Sequence, residues 1–189
     1  MGARRGLIIL DRDGVLNAML GVRGTPSHDS PMNAAQVTVF PWVASVLKAL
    51  TDAGYGLAIA TNQPAAAKGK TTRDALEGAH ALILAESQRE GGRILSSHIC
   101  WHRSEDGCAC RKPKTKLLED ALAQHAEFDR AESFMVGDRG TDILAGAAAG
   151  LKTALLTDEA LETVLPDAFV RPTFHGVDLR DFQRWLLGT

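Results

Sequence analysis

The 189-residue sequence has one tyrosine, 5% aromatic residues, three cysteines, almost no net charge and no long apolar run. Each scarcity excludes something. A formal charge of -2 with both signs interspersed offers no broad basic field to a nucleic-acid backbone, so any phosphate-seeking site must be local. The opening MGARRGLIILDRD carries two arginines and four apolar residues before Asp11, too few for a signal peptide or a membrane span. Gly2 opens no myristoylation pattern, because position 6 is glycine. A cytoplasmic protein with no membrane association is therefore expected. The three cysteines all lie between positions 100 and 110, an odd and clustered set that points to a metal or to chance rather than to a disulfide framework. A nucleic-acid module built on them would need a basic or aromatic platform, and only Trp101, Arg103, Arg111 and Lys112 are near. No nucleic-acid partner is expected.

What is present is 45% apolar residues, enough at this length for one well-developed core, and a single domain over residues 1–189 is expected. Leu7–Leu10 is a short apolar run that ends abruptly in Asp-Arg-Asp-Gly, the pattern of a buried strand emerging at a sheet edge. Further strands are predicted at 57–63, 94–99, 133–137 and 152–156, with a last strand before a helix at 179–187. Helical spacing is found at 42–50, 72–85, 116–125 and 143–149. Residues 18–36, rich in Gly, Pro, Ser and Asn, read as a loop or small flap. Strands alternating with helices make βαβ units, hence an α/β fold with a mainly parallel sheet covered on both faces. The ligand crevice of such a sheet lies where its strands end.

Polar residues gather at those ends. Asp11 and Asp13, Thr61 and Asn62, Arg111 and Lys112, and Asp138 with Asp142 all follow predicted strands or precede helices. One such aspartate would be read as a turn cap; the recurrence calls for another explanation. Carboxylates brought together repel, and a hard divalent cation among them removes the conflict. Mg²⁺ takes such oxygen ligands beside substrate phosphate and water. Asp11 and Asp138 are assigned as its side-chain ligands, with the carbonyl of Asp13 completing the protein's share. The Asp11 carboxylate would then attack phosphorus in line and form an aspartyl-phosphate. Asp13 would protonate the leaving alkoxide and later activate water. Thr61 offers a hydroxyl and an N–H, and Lys112 a positive charge, to the transferring group.

These stretches resemble the four motifs of the haloacid dehalogenase-like phosphatases: DRDGVLN the first, ATNQ the Thr/Ser motif, CRKPK the lysine motif and VGDRGTD the acidic motif, in the expected order. The resemblance implies a Rossmann-like three-layer fold. It also implies Asp11 as nucleophile, Asp13 as acid/base, Thr61 and Lys112 as phosphate-binding, and Asp138 as the second metal carboxylate. Asp142 would orient the lysine or the metal's water shell. A receiver-like signalling domain also uses paired aspartates, a Thr and a Lys with Mg²⁺. An acid/base at Asp13 and the cysteine segment argue against that reading.

Cys100, His102, Cys108 and Cys110 form a C-x-H-x5-C-x-C pattern within a loop at about 98–112. Three sulfurs and an imidazole suit a tetrahedral Zn²⁺ with no open position, hence a structural one. His98 falls outside the compact pattern. Such a clamp would fix where Arg111 and Lys112 point. The loop resembles the branch of the family that holds histidinol phosphatases and heptose-bisphosphate phosphatases. That likeness implies a minimal cap, with the zinc loop in its place, and a monomer.

The partner implied is a small phosphorylated metabolite. TNQPAAAKGK resembles the heptose branch in part, which points to the 7-phosphate of D-glycero-D-manno-heptose 1,7-bisphosphate. Asn17 and Asn62 are then candidate substrate contacts. Arg111 and Arg139, with Lys68 or Lys70, are candidates for a second phosphate. CRKPKTKL and GDRGTD resemble the histidinol-phosphatase form, so histidinol phosphate stands as the alternative, with Glu105 and Asp106 available to its imidazolium. Another small phosphate ester stands behind both.

Overall fold

In the computed structural model, which describes residues 5–22, 24, 25, 28–159, 161–165 and 170–189, the run Leu7–Leu10 forms β1 and every residue of it is buried. Residues 23, 26 and 27 of the predicted flap lie outside the described residues. A strand apolar on both faces needs cover on both, and the chain supplies it. The other strands are β2 (Gly56–Asn62), β3 (Ile94–Cys100), β4 (Phe134–Gly137), β5 (Lys152–Leu156) and β6 (Phe174–Gly176). They form one sheet in the order β3-β2-β1-β4-β5-β6, with every neighbouring pair parallel.

The helices are α1 (Val43–Asp52), α2 (Arg73–Gln88), α3 (Lys116–Gln124), α4 (Gly140–Ala148), α5 (Leu161–Val164) and α6 (Leu179–Leu187). Because side chains alternate across a strand, Ile8, Leu10, Leu57 and Ile59 face one layer, where they meet Leu47 and Leu50 of α1, Ile83 of α2 and Phe182 of α6. Leu7, Ile9, Ala58 and Ala60 face the other layer and pack with Leu117, Leu118 and Ala121 of α3 and Ala145 of α4. Three layers result, as the alternation of elements predicts. Among the described residues no helix is long and apolar enough to cross a membrane.

Boundaries move where tertiary contacts act. Helix α2 starts where expected, with Thr72 Oγ1 accepting from Ala75 N at 3.2 Å. It runs past the predicted end at 85 because Gln88 Oε1 reaches across to accept from Ile94 N at 2.9 Å. Helix α4 begins three residues before the predicted start, since the Asp142 carboxylate accepts the Arg139 N–H at 3.1 Å and caps the first turn. The short α5 carries no periodicity of its own and is not predicted from the sequence.

The chain leaves β1 for β2 and β3 on one side, then returns to lay β4, β5 and β6 on the other. The carboxyl ends of β1 and β4 therefore flank the point where strand order reverses, which is where an open α/β sheet keeps its crevice. Asp11 and Asp138 are the first residues past those two ends. The Asp11 N–H extends the ladder by donating to Val136 O at 2.8 Å.

His80 of α2 lies buried, and neither ring nitrogen has a hydrogen-bond partner. Burial, reinforced by the Arg12 guanidinium and opposed by Asp13, pushes this imidazole down to about 4. The unfolded chain takes up a proton on His80 near the ordinary histidine value, whereas the folded chain resists until about pH 4. Folding stability conferred by neutral His80 is thus full above pH 7 and declines as pH falls through this window. Urea titrations of wild type and His80→Leu between pH 7 and 4 should differ in slope, the wild type losing about 2–3 kcal/mol more. Parallel curves would refute the assignment.

Candidate active site

A cleft of about 850 Å³ opens over the carboxyl edge of the sheet. Asp11, Asp13, Thr61, Asn62, Arg111, Lys112, Arg139 and Asp142 all line it. Lys112, on the loop after β3, is its electrostatic centre. This lysine is almost fully buried, with Nζ 3.1 Å from Asp11 Oδ1 and 2.6 Å from Asp142 Oδ1. Burial alone would lower its affinity for a proton, but Asp11 and Asp142 outweigh that and hold it above the ordinary lysine range. Burial pushes Asp142 up to about 6, against the pull of Lys112 and with Asp11 adding repulsion. At neutral pH the pair is an ammonium and a carboxylate.

Asp11, Asp138 and Asp142 each offer an oxygen, and these atoms lie within 4.8 Å of one another. Three carboxylates stand there beside the Lys112 ammonium and the Arg139 guanidinium, whose Nε is 4.0 Å from Asp138 Oδ1, a surplus of negative charge that a hard divalent cation would balance. Two glycines make the crowding sterically feasible. Gly14, at φ +84°, sits so close that a Cβ would stand 2.4 Å from Asp138 Oδ2. At Gly137 a Cβ would stand 2.2 Å from Asp142 Oδ2.

Asp13 is buried and surrounded by donors. Its Oδ1 accepts from Arg12 Nε at 3.1 Å and Asn17 Nδ2 at 2.9 Å, and its Oδ2 from Arg12 Nη2 at 3.0 Å and Gln63 Nε2 at 2.6 Å. Arg12 is fully buried and Gln63 nearly so. Neither stands out in the sequence, where an arginine in a polar turn reads as solvent-facing; the only signal is its place between two aspartates.

One expectation is revised. Asn17, expected to reach substrate, is fully buried and does not line the cleft; its amide holds Asp13 and donates to Ala18 O at 3.0 Å. Lys70, a candidate for the second phosphate, lines the cleft and is paired there with Asp29. Asn62 lines the cleft but also grips the Lys112 backbone at both ends, accepting from Lys112 N at 3.1 Å and donating to Lys112 O at 3.2 Å. Lys68, Arg111 and Arg139 line the cleft, Arg111 also donating to His102 O at 3.3 Å.

The cysteine loop brings its four expected ligands together. The Sγ atoms of Cys100, Cys108 and Cys110 stand 3.1 to 3.7 Å apart, and His102 Nδ1 is 3.3 Å from Cys110 Sγ and 3.7 Å from Cys100 Sγ. A tetrahedral site with bonds of about 2.3 Å has edges of about 3.8 Å, so the donor set fits a thiophilic metal with small adjustment. Burial and the adjoining thiols push Cys100 up to about 12. Glu105 and Asp106 turn from the cleft: Asp106 accepts from Arg103 N at 2.8 Å and Nη2 at 2.9 Å, and Glu105 lies 3.5 Å from Arg103 Nε.

The HAD-hydrolase-like family pattern matches residues 109–182. Over 186 residues, 96% of this chain and 99% of the relative, the sequence is 32% identical to a D-glycero-beta-D-manno-heptose-1,7-bisphosphate 7-phosphatase of Pseudomonas putida. It is 31% identical over 141 residues, 74% of this chain but 38% of the other, to the histidine biosynthesis bifunctional protein HisB of Buchnera aphidicola. A crystal structure of D,D-heptose 1,7-bisphosphate phosphatase from B. bronchiseptica, complexed with magnesium and phosphate, superposes at a TM-score of 0.81 with 28% identity, covering 97% of this chain and 98% of that one.

Removing one partner of a buried ion pair leaves the other charge uncompensated. Asp142→Ala should therefore destabilise the fold by about 3–5 kcal/mol in urea unfolding at pH 7. A loss below about 1 kcal/mol, the range of an exposed pair, would show that Lys112 does not depend on Asp142.

Proposed function

The chain belongs to the haloacid dehalogenase-like phosphatases, and within that family we propose that it hydrolyses the 7-phosphate of D-glycero-D-manno-heptose 1,7-bisphosphate, with Mg²⁺ at Asp11 and Asp138 and a structural Zn²⁺ at Cys100, His102, Cys108 and Cys110. The supporting observation is the charge of the cleft. Beyond the cluster around Lys112, it presents Lys68, Arg111 and Arg139, cations suited to a phosphate that is bound but not cleaved.

In this reading Asp11 is the nucleophile, held by the Arg12 N–H at 2.7 Å and by Lys112. Mg²⁺, when bound to Asp11, Asp138 and the Asp13 carbonyl, would offset the negative charge of the transferring phosphoryl group. Thr61 and Lys112 hold the phosphoryl oxygens as charge develops on them. Asp13 gives its proton to the departing sugar oxygen, and the aspartyl-phosphate on Asp11 remains. Asp13 then takes a proton from water, which adds to phosphorus and returns the Asp11 carboxylate. Asn62 acts through Lys112, by fixing its backbone. The zinc loop would hold Arg111 and Lys112 in register with the cleft, since both directly follow Cys110.

Histidinol phosphate is supported by the lysine motif and by the relative of histidine biosynthesis. Its imidazolium would want a free acidic wall, and Glu105 and Asp106 are engaged with Arg103 instead. Phosphate release under matched Mg²⁺ tests the choice. The bisphosphate should exceed histidinol phosphate in kcat/KM by about 100-fold, or roughly 2.7 kcal/mol of transition-state discrimination; the reverse order would replace the substrate assigned here.

Asp11→Asn should abolish turnover while leaving metal content at the cysteine loop intact; normal turnover would remove Asp11 as nucleophile. Cys108→Ser should lower bound zinc and activity together, by elemental analysis and phosphate release on the same preparation. Unchanged zinc would sink the assignment of the loop.

A further inference from the structure

We propose that Arg12 and Gln63 are positioning residues that act on the reaction through Asp13, holding the acid/base carboxylate at the angle from which it serves the leaving oxygen and the incoming water. The inference rests on the reading of Asp13 as acid/base and extends it to two residues that do not line the cleft.

The buried amide of Gln63 has a fixed direction. Its Oε1 accepts from Arg12 Nη2 at 2.8 Å, while its Nε2 donates to Asp13 Oδ2 at 2.6 Å and lies 3.0 Å from Thr61 Oγ1. Turned over, the amide would set its oxygen against a carboxylate and its NH₂ against a guanidinium, two repulsive contacts in a place shielded from water. Arg12 therefore fixes which way Gln63 faces. Arg12 also grips both Asp13 oxygens in a fork, and with Asn17 the ionised carboxylate meets four donors, so it takes up the proton it later delivers as one of its amide donors gives way.

The same amide links the two halves of the chemistry. By donating to Thr61 Oγ1, Gln63 occupies an acceptor position of that hydroxyl and leaves its proton free to point into the cleft.

The step at stake is proton transfer. As the ester P–O bond breaks, an alkoxide leaving group needs the Asp13 proton, whereas p-nitrophenolate leaves without one. The test compares an alkyl phosphate that the wild type turns over with p-nitrophenyl phosphate, in Gln63→Glu and Gln63→Leu. The first variant sets a carboxylate beside Asp13; the second removes the amide with no new charge and stands in if the first fails to fold.

Expected is a fall in kcat/KM of about 100-fold for the alkyl ester and less than about tenfold for the aryl ester. A burst of p-nitrophenolate approaching one per enzyme should appear, as phosphorylated Asp11 waits for water. A merely structural role would lower both esters alike and shrink the burst with the active fraction, and that result overturns the proposal, as do unchanged rates. A wild type that prefers an alkyl phosphate other than heptose bisphosphate overturns the substrate assignment and leaves this comparison intact. A wild type that hydrolyses no ester overturns both.

Discussion

A single buried ammonium sets the terms for the rest of the site. Lys112 lies among carboxylates at the edge of a sheet that is dry on both faces, and in such a place charge must be matched by charge. Asp142 and Asp11 match it from two different elements, one opening α4 and one ending β1. Gly14 and Gly137 exist at their positions because the carboxylates come too near for any side chain there. Asn62 secures the lysine's backbone from β2. One strand end and one helix thus converge on one nitrogen, and a second strand holds its backbone.

A second buried cation, Arg12, has a matching role and directly follows Asp11 in sequence. Lys112 compensates the side of the site where phosphorus would sit; Arg12 compensates the side where protons would move. His80 behind Arg12 stays neutral, so the guanidinium has Asp13 as its counter-charge.

Much of this was legible in the sequence, for a physical reason. Each apolar run stops where its polar motif begins, so Leu7–Leu10, the run before Thr61 and the run before Asp138 located both the strands and the chemistry. The cysteine loop was legible because its ligands are close in sequence and their side chains meet through local turns. What stayed hidden depended on distant partners. Arg12 and Gln63 meet across 51 positions, and no period or spacing announces that contact. Asn17 looked available to substrate only because burial cannot be read from a glycine-bounded turn. The early start of α4 likewise followed from Asp142 serving both a helix cap and a lysine.

The strand order has a temporal side. β1 is the first strand made and lies in the interior of the sheet, and one of its two neighbours, β4, comes late: Leu7 N donates to Ser133 Oγ, 126 residues away, at 2.8 Å. Such separations slow closure, because the intervening chain must be ordered before the contact rewards it. During synthesis, β1 emerges before the other five strands of the sheet, with one edge unpaired until β4 is made, and an unpaired apolar edge invites wrong partners. The acidic pair two residues apart at its end then has a second effect: it places charge beside an aggregation-prone run of the nascent chain, so the groups that would carry out catalysis also guard the strand that carries them.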